Sequence, residues 1–206
     1  MSLTNAYCTL QQLKNELGID DTADDSMMEI AIDAASRQID DHCGQRFWQD
    51  GSVVARIYEP HDPYELYVDP ISTTTGLIVK VDTDASGSYE TTLTINTDFY
   101  LEPHNAAAEY PVRPYTEICI NRNTGSYYFP TGYDAPTVQV TAKFGWPAVP
   151  DAVEKACLIQ ATQLFKAKDA LFGAIALGDS SAMRIRSSLN PLAEALVAVY
   201  RKPAVG

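Results

Sequence analysis

The feature that most constrains this chain is a change of hydrophobic period: helical at both ends, strand-like in the middle. Thr9 followed by Gln12 forms a capping-box pattern, and Leu10, Leu13 and Leu17 then share one helix face up to Gly18. Asp24 and Asp25 suit the positive end of a second helix. Met28, Ala31, Ile32, Ala35, Ile39 and the pair His42/Cys43 form its apolar stripe, and Gly44 ends it. Arg37, Asp33, Asp40 and Asp41 fall mostly off the stripe and are expected in solvent or at an interface. From Val53 to Trp146 the chain turns rich in Thr, Tyr, Val and Ile. Strands are expected at Val53–Tyr58, Glu65–Val68, Leu77–Val81, Thr91–Ile95, Phe99–Leu101, Glu117–Asn121 and Val138–Phe144, separated by Gly, Asn, Asp and Pro clusters.

Helical period returns after Gly145–Trp146–Pro147. Pro150 and Asp151 start a third helix whose face is Val153, Ala156, Cys157, Gln160, Leu164 and Ala167. The stretch Gly173–Ser188 has no period and reads as a loop or extended arm. Asn190 caps a fourth helix with Pro191 in its first turn, an apolar stripe at Leu192, Ala195, Leu196 and Val199, and Arg201 and Lys202 at its close. Each helix is too narrow-faced to be stable alone, so the two terminal pairs are expected to pack together. The expected fold is α+β: a four-helix core from residues 1–50 and 147–206, with an antiparallel β-sandwich or barrel inserted at 51–146.

Composition excludes several function classes. With 46% hydrophobic and 20% charged residues the chain is of globular type. A net charge of −12 argues against gripping DNA or an anionic membrane through the bulk surface. No run approaches the ~20 apolar residues of a membrane span, and Met1–Leu10 lacks a signal-peptide pattern. Cys8, Cys43, Cys119 and Cys157 are far apart without a paired spacing, which points to reduced, buried thiols rather than a zinc site.

Catalytic signatures are missing. His42 and Cys43 are helix neighbours and diverge, and His61 and His104 lie in proline-flanked turns. Nucleophile-elbow, phosphate-loop and dinucleotide patterns are absent, so the expectation is a non-enzyme with no cofactor and no metal. The acidic turn Asp20, Asp21, Asp24 and Asp25 lacks the ligand series and glycine of a calcium loop and reads as a solvated capping cluster. Tyr58, Tyr67, Phe99, Tyr100, Tyr127, Tyr128 and Phe129 read as half-buried strand aromatics. A carbohydrate- or receptor-binding tail module built on them is the alternative.

Three ordered stretches carry a family resemblance. They are Tyr7–Gly18 with Ala34–Asp40 and Cys43–Phe47; Val140–Pro147 leading into Val149–Val153; and Gln160–Gly173 followed by Leu192–Leu196 and Tyr200–Lys202. Together they resemble the head–tail connector (adaptor) family of tailed bacteriophages, in the version with a β-rich insert. The resemblance implies a structural virion protein at the head–tail junction, made in the bacterial host cytoplasm. It implies a homo-oligomeric ring, of twelve subunits as is usual in the family, docked under the portal protein. Such a ring joins the portal to a stopper or tail-completion protein and continues the DNA channel without sequence-specific binding. A capsid contact through the β insert is a further expectation. On this reading Phe172, Gly173, Ile175, Leu177, Arg184, Arg186, Tyr200 and Arg201 face the portal or a neighbouring subunit. Asp20, Asp21, Asp24, Asp25, Asp40 and Asp41 are candidates to face the channel and repel phosphate.

Overall fold

A computed structural model describes residues 3–124, 127–173 and 189–202, with the side chains of 168–173 outside that description. The chain divides into two compact units. One comprises Met1–Phe47 and Val149–Gly206; the other is Trp48–Ala148.

The first unit holds α1 (Leu10–Leu17), α2 (Asp25–Cys43), α3 (Asp151–Gly173) and α4 (Pro191–Val197), the last continued by a 3-10 turn at Ala198–Tyr200. The caps form as the residue types dictate. Thr9 accepts from the Gln12 amide while the Gln12 side chain accepts from the Thr9 amide, closing the capping box. Gly18 and Gly44 end α1 and α2 in the left-handed conformation, and the Asn190 side chain caps α4 over Pro191. In α2 and α3 the core follows the face the periodicity picked out; in α4 the expected stripe is wrong, since Leu192, Ala195 and Val199 are exposed and Ala193 and Val197 turn inward to meet the end of α2. Leu13, Met28, Ile32, Ala35, Ile39, Val153, Ala156, Ala161 and Val197 are all buried.

One buried polar ladder joins α2, α3 and α4. The Gln160 side chain donates to Gln38 Oε1 (2.7 Å) and accepts from the Asn190 amide (2.8 Å), while Asn190 Nδ2 donates to Gln163 Oε1 (2.6 Å). Gln160 is 1% exposed, so these bonds replace the water it gives up.

The second unit is one antiparallel sheet of six strands: β1 (Val54–Tyr58), β2 (Glu65–Val81), β3 (Thr91–Leu93), β4 (Phe99–Glu102), β5 (Tyr115–Ile120) and β6 (Val138–Phe144). The order is β1-β6-β2-β5-β4, with β3 on β2 and, among the described residues, no pairing that closes the ends. The sheet therefore has free edges where a closed barrel would have none.

Two strands expected separately, at 65–68 and 77–81, are one long strand. β2 pairs with β6 along one edge; along the other it pairs with β5 and then β3. Register shifts between Tyr67 and Ile71, between Ile71 and Thr73, and between Thr73 and Ile78 absorb the Pro70 and Gly76 region that reads as a turn. Alternation builds the core: Val138, Val140, Ala142 and Phe144 face inward from β6, joined by Leu66, Val79, Phe99, Leu101, Ile118 and Ile120.

Candidate assembly surfaces

The helical unit is organised along α2, and its two ends differ in chemistry. At the N-terminal end, the acids of the turn are partly committed. Lys14, itself buried, donates to Asp25 Oδ1 (2.8 Å) and to the Asp21 carbonyl, tying α1 to the start of α2. Asp21 also accepts from the Ala23 amide, and the Asp24 carbonyl accepts from the Met27 and Met28 amides. Asp41, near the opposite end of α2, is exposed, and so is Asp20 here. Just inside this end, Met27 and Ile30 are 47% and 59% exposed. With Ala31, Ala34, Leu164 and Phe165 they line an apolar groove between α2 and α3.

Asp40 behaves differently from the other expected acids. It lies off the apolar stripe yet is half-buried, accepting from the Tyr7 hydroxyl and pairing with Arg37 (3.1 Å). Burial raises its carboxyl pKa against the lowering effects of Tyr7 and Arg37. Tyr7 in turn accepts from the Phe47 amide (2.8 Å), and burial with the Asp40 bond pushes its phenol up. The Tyr7–Asp40 pair therefore holds the N-terminal segment against the end of α2.

At the C-terminal end of α2 the last elements of the chain dock. Lys202 donates its amide to the Cys43 carbonyl (2.9 Å), Gln45 donates to the Tyr200 carbonyl, and the Tyr200 ring meets Phe47 edge-on at 5.6 Å. Tyr200 is thus a packing residue as well as an interface candidate, while Arg201 and Lys202 are exposed. His42 lies 4.0 Å from Glu194 and Cys43 Sγ lies 3.9 Å from the Val197 carbonyl, so both are turned to α4. Leu192 and Val199 are 60% and 82% exposed. Of the other expected interface residues, Phe172 and Gly173 end α3 but their side chains lie outside the description. Ile175, Leu177, Arg184 and Arg186 lie outside the described residues, as does the expected Gly173–Ser188 arm beyond Gly173 itself.

The four cysteines are free and buried. Cys8 and Cys157 approach to 3.3 Å between Sγ atoms, with Ser36 Oγ 3.4 Å from Cys157. Their sharing of one proton raises Cys8 and lowers Cys157. Burial pushes Cys43 up to about 11 and Cys119 up to about 12.

In the sheet unit the aromatics split. Phe99 and Phe129 are core, Tyr58 and Tyr100 are half-buried, and Tyr67, Tyr127 and Tyr128 are exposed. His61 is exposed, and His104 is turned to the Leu101 carbonyl (3.1 Å). A constellation not singled out in the sequence, in the stretch between the strands expected at 77–81 and 91–95, is Asp82, Asp84 and Glu90, whose carboxylate oxygens lie within 4.8 Å of one another. Its signal in sequence is the acid–x–acid spacing before Ser86–Gly87. Asp82 is buried and already accepts from the Ser86 (3.1 Å) and Gly87 (2.6 Å) amides. Burial would raise its carboxyl; those amides outweigh it and hold the group low.

Residues 7–98 match the family model described as phage gp6-like head-tail connector protein. Over that stretch the chain is similar to the head–tail connector family. Its fold is similar to chains of two solved particles. One is described as the neck of an empty GTA particle computed with C6 symmetry: 16% identity, TM-score 0.55, covering 100% of this chain and 94% of that one. The other is the virion of a native gene transfer agent (GTA) particle: 18% identity, TM-score 0.54, with the same coverages. No curated protein sequence matches the chain. The family match spans α1, α2 and the first three strands, so it includes both ends of α2 and part of the sheet unit.

Proposed function

We propose that this chain is a structural head–tail connector subunit of a phage-like particle, and that it works as a ring between the head and the tail. The observation that carries the reading is the connector-family match over residues 7–98. A similarity of fold to neck and virion chains along the whole of this chain supports it. A ring of twelve subunits contains a sixfold axis, which agrees with a neck computed with C6 symmetry. The partners are the portal protein on one side and a stopper or tail-completion protein on the other. The segment 174–188, with Arg184 and Arg186, docks the ring to portal or neighbour. The β unit decorates the ring or touches the capsid.

The charge suits the role. A subunit of net charge −12 lines a DNA passage without holding phosphate, and Asp20 and Asp41 are exposed acids available for that surface. No helix among the described residues is long and apolar enough to cross a membrane.

The test is assembly of particles with and without this chain. Loss of the chain should leave filled heads that lack tails, and restoring it should restore joining. Deleting Gly173–Ser188 should abolish incorporation while leaving the helical circular dichroism intact. Normal tailed particles without the chain, or a stable monomer that ignores portal and binds glycans through the exposed tyrosines, would overturn the reading.

A further inference from the structure

The four buried cysteines are not alike. Cys43 meets the Val197 carbonyl and Cys119 meets the Glu117 carboxylate, whereas Cys8 and Cys157 meet each other. Their Sγ atoms lie 3.3 Å apart although 149 residues separate them in the chain. Cys8 ends the irregular segment before Thr9, the cap of α1, and Cys157 lies on the inner face of α3. Both belong to the same compact unit. Ser36 of α2 holds the two together. Its hydroxyl lies 3.4 Å from Cys157 Sγ, accepts from the Tyr7 amide (3.1 Å) and donates to the Ile32 carbonyl (2.8 Å). The residue beside Cys8 and the sulfur of Cys157 are thus placed by one side chain. A disulfide measures about 2.05 Å between sulfurs, so this pair closes by roughly 1 Å to make one. A cysteine that only fills space is replaceable by any small apolar residue; two sulfurs facing each other are what a cross-link requires.

We propose that Cys8 and Cys157 form an oxidative modification site, which a peroxide closes into a disulfide tying the segment before α1 to α3. The Cys157 thiolate attacks hydrogen peroxide and the O–O bond breaks. Cys157 becomes a sulfenic acid, and the hydroxide released takes up the proton that Cys157 gave off. The Cys8 thiol then attacks the Cys157 sulfur; the S–S bond forms, the S–O bond breaks, and hydroxide leaves as water with the Cys8 proton. Both sulfurs are oxidised, and the peroxide is reduced to water. Cys157 is the attacking sulfur because the hydrogen bond from Cys8, and after it Ser36, hold its thiol low against burial, while Cys8 is raised. Cys8 lies outside any helix or strand, between exposed Asn5 and Thr9, so opening of that short segment alone uncovers both sulfurs. Peroxide is small and uncharged and enters where a bulky anionic reagent does not. The bond needs only this chain. Its timing rests on the connector reading: a particle built in a reducing cytosol meets oxidant on release.

The purified full chain is reduced, freed of reductant, treated with hydrogen peroxide, then unfolded in urea with an alkylating reagent and weighed. The treated chain should carry two alkyl groups where the untreated chain carries four. Before alkylation it should be lighter by about 2 Da, the two hydrogens removed. Digestion without reductant should yield one linked peptide pair, joining Cys8 to Cys157. The urea midpoint of the helical circular dichroism should rise by about 1–2 M and fall back with dithiothreitol, since the bond closes a loop across most of the chain. Cys8→Ser should leave Cys157 as a sulfenic acid that dimedone traps, while Cys43→Ser and Cys119→Ser should still form the bond. Four alkyl groups after treatment, a linkage that uses Cys43 or Cys119, or a Cys8→Ser chain that still forms an internal disulfide would each overturn the proposal and leave the connector role standing. Heads that gain tails without the chain would remove the connector reading and leave the bond untouched.

Discussion

Replacing Gly145 with alanine should break the sheet unit rather than merely strain it. Gly145 sits at φ +111°, where L side chains are rarely found, directly after β6. A Cβ there would lie 2.0 Å from the Trp48 carbonyl oxygen and 3.0 Å from Gln49 Cα. Both are backbone atoms, so no rotamer change relieves the clash. The backbone conformation alone costs about 1–3 kcal/mol. Moving the 48–50 segment aside endangers two backbone bonds that close this corner, Gly145 N–H to Pro70 C=O at 2.7 Å and Asp50 N–H to Phe144 C=O at 2.8 Å. At about 1 kcal/mol each, they bring the total to roughly 3–5 kcal/mol. Both tryptophans, Trp48 and Trp146, lie in this unit, so their fluorescence reports its unfolding. With a urea slope of about 2 kcal/mol/M, the midpoint should fall by about 2 M. Gly18→Ala is the comparison: φ is +67° and nothing lies within 4 Å of the added Cβ, so about 1 kcal/mol is expected, read by helical circular dichroism. A Gly145→Ala cost below 1 kcal/mol would refute the steric reasoning.

Further predictions follow from single contacts. Thr9→Ala removes one half of the capping box and should cost about 1 kcal/mol, measured by urea unfolding followed at 222 nm; no change would mean that tertiary packing alone fixes α1. All four thiols should resist a colorimetric disulfide reagent at pH 8 until the protein unfolds, because all are buried and Cys8, Cys43 and Cys119 are raised. One fast equivalent would contradict this. Asp82 and Glu90 are held low, so their stabilisation is present above the ordinary carboxyl range and is lost as pH falls through their depressed values. Asp40 is raised, so its contribution has the opposite sign, weakening as pH rises towards its folded value. Acid should therefore melt the tryptophan signal before the helical signal, and Asp82→Asn should flatten the acid dependence of the former. An unchanged titration in that variant would count against the assignment.

Elements governed by local chemistry were legible in the sequence. The Thr9–Gln12 box, the Gly18 and Gly44 stops, the Asn190–Pro191 start and the β6 alternation all depend on residues within a few positions of one another. Where partners come from far along the chain, pattern reading falls short. Pro70 and Gly76 carry turn chemistry, yet pairing on both edges keeps β2 extended past them. Asp40 lies off the apolar stripe, and only Tyr7, 33 residues away, draws it inward. Asp82 does not stand out in the sequence, because nothing local shows that its carboxylate is buried beneath the loop it organises. Of the candidate surfaces, the basic close of α4 could be read directly. The Met27/Ile30 groove could not, since it depends on how α3 crosses α2.

The Gln38–Gln160–Asn190 ladder has a consequence for how such a chain can diverge. It fixes the start of α4 on α3 through Gln38, Gln160, Gln163 and Asn190, none of which lies within 174–188. The landing site of the returning chain is therefore set independently of what runs between. Doubling a closed loop in length costs only about 0.6 kcal/mol. That stretch can accordingly be exchanged, lengthened or rewritten to suit a different partner, as a cassette held between two fixed terminals.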